Sequence, residues 1–389
     1  MKERLEGLRQ RMTMAGLDAA VLVHPRDLFY YVNTARPATL VIGPREETLL
    51  VRRGLELARR EATVSRVEPG GGLDAVAAEL AAQGLDGGRL GVELDVIPAR
   101  LFLRIGEALP GWELADVSPL VLAQRQVKEV KEIEATARAA AVADAGHAAL
   151  ARILRPGLSE LELAAQVEAA LRRAGHEAFQ PLRYPGARGG GVFLMAGERL
   201  TFRGGHGLVI TGAGLGPATP YGPSRQPVRP GDLVVLDIGA ACDGYTADVA
   251  RTFVVGKATA AQQALFDVAL AAEEAVLAAL RPGVPVAELY AAAAEVVAHG
   301  APPHFAPGDL ALPGFAGHGV GVELDEPPVV WEKDESPVEA GWVLAVEIEV
   351  NAPAAGLMAK VEDTVVVEAG GPRLLGDTPR RLIETVLPA

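Results

Sequence analysis

Four segments of this 389-residue chain carry side chains that could hold a metal ion. The first is LDIGAACDGYTADVARTF, residues 236–253. Two apolar runs flank Asp243-Gly244, a pair that favours a two-residue hairpin turn. With that turn, Cys242 faces Tyr245 and Gly239 faces Asp248. Asp237, two residues from Gly239, then points to the same face. Asp237 and Asp248 become diagonal cross-strand neighbours, roughly 7 Å apart at the backbone. Two carboxylates on a buried strand pair repel each other unless positive charge lies between them, and a metal ion would supply it. The competing reading leaves both acids in solvent or at strand ends.

The second segment is GWVLAVEIEVNAP, residues 341–353, where Glu347 and Glu349 share a face with Val343 and Ala345. The third is AKVEDTVVVE, residues 359–368, with Lys360 and Glu362 on one face and Val361 and Asp363 on the other. The fourth, Phe315 to Gly321, sets His318 between glycines, where little bulk would keep it from an ion. Taken singly these last three read more readily as edge charges or a structural histidine. Taken together the four segments supply Asp237, Asp248, His318, Glu347 and Glu362. The negative charge of four carboxylates equals the positive charge of two divalent ions. Carboxylate-rich ligation suits Mn²⁺, and the imidazole also admits Zn²⁺ or Co²⁺.

These segments need a framework of strands and helices. The C-terminal part reads as strands near 207–210, 233–238, 246–255, 343–350 and 360–367, with helices over 260–280 and 286–298. Strands grouped beside helices indicate an α+β domain. Before it come a long helical stretch over 124–154 and a helix over 159–174, whose Ser159 and Glu162 suit a capping box. The stretch 181–205 is Gly- and Arg-rich and reads as a long loop, a candidate for restricting the site to dipeptides. The N-terminal part alternates helices (2–15, 73–83, 98–108) with strands (19–23, 39–42, 48–51) and has a turn at 24–27, an α/β pattern. The expected division is an N-terminal domain over 1–123 and a catalytic domain over 124–389.

Composition narrows the function further. A net charge of -13 without a basic cluster argues against nucleic acid as a partner. No apolar run is long enough for a membrane span, and the charged start MKERLEGLRQ lacks a signal-peptide core. The single Cys242 cannot form an intrachain disulfide, which fits a cytoplasmic location. No Gly-x-Ser-x-Gly elbow supports a serine hydrolase. The run from Gly212 to Gly216 has a glycine-rich look, but Pro217 breaks the dinucleotide fingerprint.

The five candidate ligands and their order resemble the metallopeptidase family of prolidase, aminopeptidase P and methionine aminopeptidase. The Asp237–Asp248 spacing, the Gly-His-Gly-Val-Gly setting of His318 and the Glu-Asp-Thr after Val361 carry the likeness over about 125–389. The resemblance implies a pita-bread α+β catalytic domain preceded by a smaller creatinase-type α/β domain. It implies Glu347, not Glu349, as the ligand six residues after Gly341. It further implies two divalent ions, a hydroxide bridging them, Glu347 as the proton carrier, a small peptide substrate and a homodimer.

The departures are specific. Where the family usually has Pro-His after the Gly-rich strand, this chain has Pro220-Tyr221. Gly314 stands in the place of an accessory histidine, and Asp325-Glu326 in the place of His-Glu. Lys360 replaces the usual Arg two residues before the last metal Glu. A minor branch of Xaa-Pro dipeptidases lacking those histidines resembles the chain best. Tyr221 is then the candidate oxyanion donor and Asp325 the candidate for the substrate amino group. Lys360 joins them as a candidate substrate-binding residue. The alternatives are an amide or amidine hydrolase on the same fold and a peptide-binding relative with weak activity. Creatinase and the catalytically dead histone-chaperone copies lack the metal carboxylates that this chain keeps.

Overall fold

The computed structural model describes residues 2–178, 180–181, 183, 188–189, 191–202, 209, 211–300 and 302–385. It divides into two compact units, Met1–Arg125 with Pro181–Ala187, and Gln126–Gln180 with Arg188–Ala389. The first unit runs α1 (Lys2–Met14), β1 (Ala19–Leu22), α2 (Pro25–Val32), β2 (Ala38–Ile42), β3 (Glu47–Val51) and α3 (Leu55–Glu61). It continues through β4 (Val67–Pro69), α4 (Leu73–Ala82), β5 (Gly88–Val92), α5 (Ala99–Ala108) and β6 (Trp112–Asp116) to α6 (Ser118–Gln126). Its strands form one mixed sheet in the order β4-β3-β2-β1-β5-β6, the α/β pattern expected. The turn expected at 24–27 is instead the start of α2. Pro25 sits in the first helical turn, where its missing N–H breaks no bond. Strands β4, β5 and β6 escape a sequence reading because they are short and carry polar residues that blur any alternation.

The second unit begins with α7 (Val130–Ile153) and α8 (Glu160–Arg173). The single helical stretch expected over 124–154 is two helices. Between α6 and α7 the chain straightens, Val127 bridges to Trp342, and the Lys128 N–H donates to the Gly341 carbonyl at 2.9 Å. Glu129 then opens α7 with a capping box closed by Glu132. Ser159 and Glu162 form the capping box foreseen at the start of α8.

There follow the two-residue strands β7 (Gln180–Pro181) and β8 (Arg188–Gly189), then β9 (Gly191–Ala196), β10 (Leu233–Cys242) and β11 (Tyr245–Val254). Next come α9 (Ala260–Ala279), α10 (Val286–His299), β12 (Gly317–Gly319), β13 (Glu326–Val329) and β14 (Val343–Ala352). The last are β15 (Leu357–Glu368), β16 (Gly371–Leu374) and β17 (Ile383–Glu384). Strand β9 lies within the stretch read as loop; its Val192, Leu194 and Ala196 pack into the core beside α8. Gly197–Thr201 of that stretch form a 3-10 turn; much of the remainder, and all but residue 209 of the strand expected near 207–210, lie outside the described residues.

A nine-stranded sheet runs β13-β12-β14-β15-β11-β10-β9, with β16 added on β15 and β17 on β11. Period-two alternation places the helices. Val234, Leu236, Ile238 and Ala240 of β10 pack with residues of α7 and α8 in one apolar cluster. Leu344, Val346, Ile348 and Val350 of β14 pack with α9 and α10 in another. Asp237 falls between Leu236 and Ile238 in the alternation, and Glu347 between Val346 and Ile348, so each points to the opposite face of its strand from those neighbours.

Candidate metal centre

The hairpin of β10 and β11 closes through Asp243 (φ 52°) and Gly244 (φ 78°), the positive-φ pair that a two-residue turn of the hairpin-favoured kind requires. Its register pairs Gly239 with Asp248 and Asp237 with Ala250. Ala250 pairs on its other side with Glu362 of β15, and Glu362 pairs with Glu347 of β14. Asp237, Ala250, Glu362 and Glu347 thus form one transverse row across four strands. The adjacent row holds Asp248, Ala345 and His318, with Ala345 paired to His318 of β12. Rows two residues apart along a strand are separated by about 7 Å, and neighbouring strands by about 4.8 Å. Five residues far apart in sequence therefore converge because the register aligns them.

The seam between β11 and β15 is built by threonines. Thr364 Oγ1 accepts from the Asp248 N–H at 2.9 Å and donates to the Asp248 carbonyl at 2.7 Å. Thr252 Oγ1 accepts from the Lys360 N–H at 2.9 Å and donates to its carbonyl at 2.8 Å. These hydroxyls take the place of ladder bonds on either side of the Ala250–Glu362 pair, the one registered pair between the two strands. Behind the seam, the buried Arg251 guanidinium donates to the Glu362 carbonyl at 2.7 Å and pairs with Asp363 at 2.6 Å. Arg380 pairs with Asp363 at 3.0 Å and holds Glu273 at 2.6 Å.

The glycines around His318 have a packing reason. A Cβ on Gly317 would meet the Ala345 carbonyl oxygen at 2.2 Å, and one on Gly319 would meet the Pro327 oxygen at 2.4 Å. They admit the backbones of β14 and β13. His318 Nδ1 lies 3.1 Å from the Gly319 carbonyl oxygen and 3.4 Å from Asp325. Acceptors on that side suit a proton on Nδ1, the tautomer that leaves Nε2 available as a metal ligand. Nε2 points at the acids, 3.9 Å from Asp248 and Glu362 and 4.0 Å from Glu347.

Two groups of donor atoms close enough to share an ion result: Asp248, His318 and Glu362, and Asp237, Glu347 and Glu362. Burial pushes the carboxyls of Asp248 and Glu362 well above the usual range. Asp237 adds to the shift at Asp248, as Asp248 does at Glu362. Glu347 is raised as well, by burial first, with Lys360 and His318 opposing. Asp248 Oδ1 and both Glu362 carboxylate oxygens are buried without a hydrogen-bond partner among the described residues. Such a cluster of buried, mutually repelling acids fits divalent cations, and an all-oxygen set with one imidazole suits hard or borderline ions.

The remaining expected residues fall in distinct places. Lys360, 2% exposed, inserts its ammonium among the acids, 2.6 Å from Asp237, 2.5 Å from Glu347 and 3.3 Å from Glu362. Burial alone would lower its pKa; Asp237, Glu347 and Glu362 outweigh burial and hold it well above the ordinary lysine value. Asp325 flanks His318 with its side chain 41% exposed. Tyr221 tilts against Phe193, with ring centroids 6.3 Å apart, and Phe193 is the register partner of Asp237 on β9. Glu349 faces Lys360 across β14 and β15 and accepts from Asn351 at 2.8 Å, one row removed from Glu347. Glu326 forms a buried pair with Lys128 at 2.8 Å. Sequence reading missed the two threonines and Arg251. The shared face of Lys360 and Glu362 was the available sign that a cation would meet the acids.

Residues 134–369 match the model of metallopeptidase family M24, and residues 4–127 match the creatinase/prolidase N-terminal domain. The Xaa-Pro dipeptidase of Pyrococcus furiosus is 26% identical, covering 98% of this chain and all of its own length. The solved Xaa-Pro dipeptidase from Bacillus anthracis superposes with a TM-score of 0.82 at 23% identity, covering 98% of this chain and 99% of the other. Dipeptidase PepE from Mycobacterium ulcerans gives 0.78 at 26%, covering 98% and 97%. The nine-stranded unit is accordingly the pita-bread fold, and the six-stranded unit is its creatinase-type companion. The chain belongs to metallopeptidase family M24 and carries the creatinase/prolidase N-terminal domain.

Proposed function

We propose that the chain is a metal-dependent Xaa-Pro dipeptidase using two divalent ions, manganese foremost, held by Asp237, Asp248, His318, Glu347 and Glu362. The observation that carries this reading is the convergence of all five side chains into two donor groups sharing Glu362. Ions bound there would polarise the scissile carbonyl and lower the pKa of a water they share. The other tasks fall to side chains of this chain. Glu347 takes the proton of the attacking water and passes it to the imino nitrogen of proline. The bond before proline has no N–H, so recognition rests on the carbonyl and the free amino end. Tyr221 beside Phe193 donates to the developing oxyanion, replacing the accessory histidines without a charge to desolvate. The protein works as a cytoplasmic homodimer in this reading. Among the described residues no helix is long and apolar enough to cross a membrane.

The test is proline release from Xaa-Pro dipeptides, with a tripeptide control, by metal-stripped protein and by protein reloaded with Mn²⁺. Hydrolysis of dipeptides only after reloading is expected. No hydrolysis with two ions demonstrably bound would overturn the assignment and turn attention to non-peptide amides.

A further inference from the structure

The two donor groups differ in one respect. Around Asp248, His318 and Glu362, buried carboxylate oxygens point inward without hydrogen-bond partners among the described residues. The group of Asp237, Glu347 and Glu362 already surrounds a cation: the Lys360 ammonium contacts all three acids at 2.6, 2.5 and 3.3 Å. Asp237 and Glu347 hold the ammonium closely, and Glu362 at 3.3 Å completes the ring of negative charge as an ion pair without a hydrogen bond. Its distances to the first two are close to the 2.0–2.6 Å at which hard divalent ions take oxygen ligands. An ion entering the same donor set would meet the ammonium at contact distance, so the two cations exclude each other. The lysine stem is flexible enough to withdraw. The planar guanidinium that the resemblance puts at this position is a fixed fork and could not nest among three acids in the same way.

We propose that Lys360 is an internal counter-cation of the Asp237/Glu347/Glu362 half of the centre, which a second divalent ion must displace. The first ion enters at Asp248, His318 and Glu362, and the second binds in competition with the lysine. This rests on the reading of the acids as a metal centre, but not on which peptide is cleaved.

The experiment is Mn²⁺ binding to metal-stripped full-length protein, followed by equilibrium dialysis and by electron paramagnetic resonance. Wild type is expected to bind one ion with an isolated-ion spectrum and a second at least tenfold more weakly, with spin coupling appearing only in that second step. Lys360→Met should tighten the second step at least tenfold and bring coupling in at the first equivalent. Its metal-free form should melt lower than wild type, with the difference recovered on loading. Two equal sites in wild type, or a second step unchanged in Lys360→Met, would overturn the proposal. Should Lys360→Met fail to fold, the wild-type isotherm and Lys360→Arg decide. The guanidinium should change the gap between the two steps, and an unchanged gap counts against the lysine. Failure to cleave Xaa-Pro dipeptides alongside the expected isotherms would remove the functional reading and leave this one standing.

Discussion

A single hydroxyl holds both backbone groups of Asp248: Thr364 Oγ1 accepts its N–H at 2.9 Å and donates to its carbonyl at 2.7 Å. Buried backbone groups left without partners cost about 1–3 kcal/mol. Thr364→Val keeps the shape and removes both bonds. It should lower stability by that order and loosen Asp248, while Thr364→Ser should recover most of the loss. Urea unfolding and metal dialysis on the two variants check this. Equal stability of Thr364→Val and wild type would remove the role.

Asp325 has two candidate tasks that separate experimentally. Its carboxylate lies 3.4 Å from His318 Nδ1, the side of the ring turned away from Asp248 and Glu362. Partners of ligand histidines typically contribute about 10–100-fold in metal affinity. Asp325→Asn is expected to weaken Mn²⁺ binding by about tenfold. A raised KM with unchanged metal affinity would instead assign Asp325 to the substrate amino group.

Tyr221 is judged by its hydroxyl alone. Tyr221→Phe preserves the packing on Phe193 and should slow turnover by more than threefold, or about 0.7 kcal/mol of barrier, with KM little changed. A smaller effect on kcat leaves the phenol without a part in the transition state.

Acid should weaken the fold through two buried histidines. Burial lowers the pKa of His24 to about 4, opposed by Asp27, and that of His147 to about 3, with Arg251 adding to the effect. His147 Nε2 lies 3.0 Å from the Val249 carbonyl oxygen, and its ring stacks on Phe253. Both pKa values are depressed, so the unfolded chain takes up protons below about 6.5 while the folded chain does not. The stability these two histidines contribute is full above that pH and falls as the pH drops towards 4 and then 3. The histidine share is read as a difference in urea unfolding: between pH 7 and pH 5 wild type should lose stability relative to His147→Gln, because the raised carboxyls of Asp248, Glu347 and Glu362 act in the opposite sense in both proteins. An unchanged pH dependence in the variant would exclude His147 as a source.

Much of the centre was legible in the sequence because β structure has a period of two. Asp243-Gly244 set the hairpin, and the hairpin set the diagonal of Asp237 and Asp248. β14, β15, α9 and α10 were readable for the same reason, the helices to within a residue at each end, though β14 runs two residues further and β15 begins three residues earlier than expected. Strand β9, the break at Val127–Glu129 and the start of α2 were not, because tertiary partners rather than local pattern decide them.

The sequence by itself determined which residues could bind metal and which strand faces they share, since side-chain direction follows from the pleat. Only the tertiary structure decided their alignment. The register of β10, β11, β15 and β14 puts Asp237, Glu362 and Glu347 in one row, and no local pattern encodes register between strands distant in the chain. It also decided that Lys360 turns inward among the acids. A lysine stem reaches several places from one backbone position, and the buried negative charge of the assembled sheet selects among them.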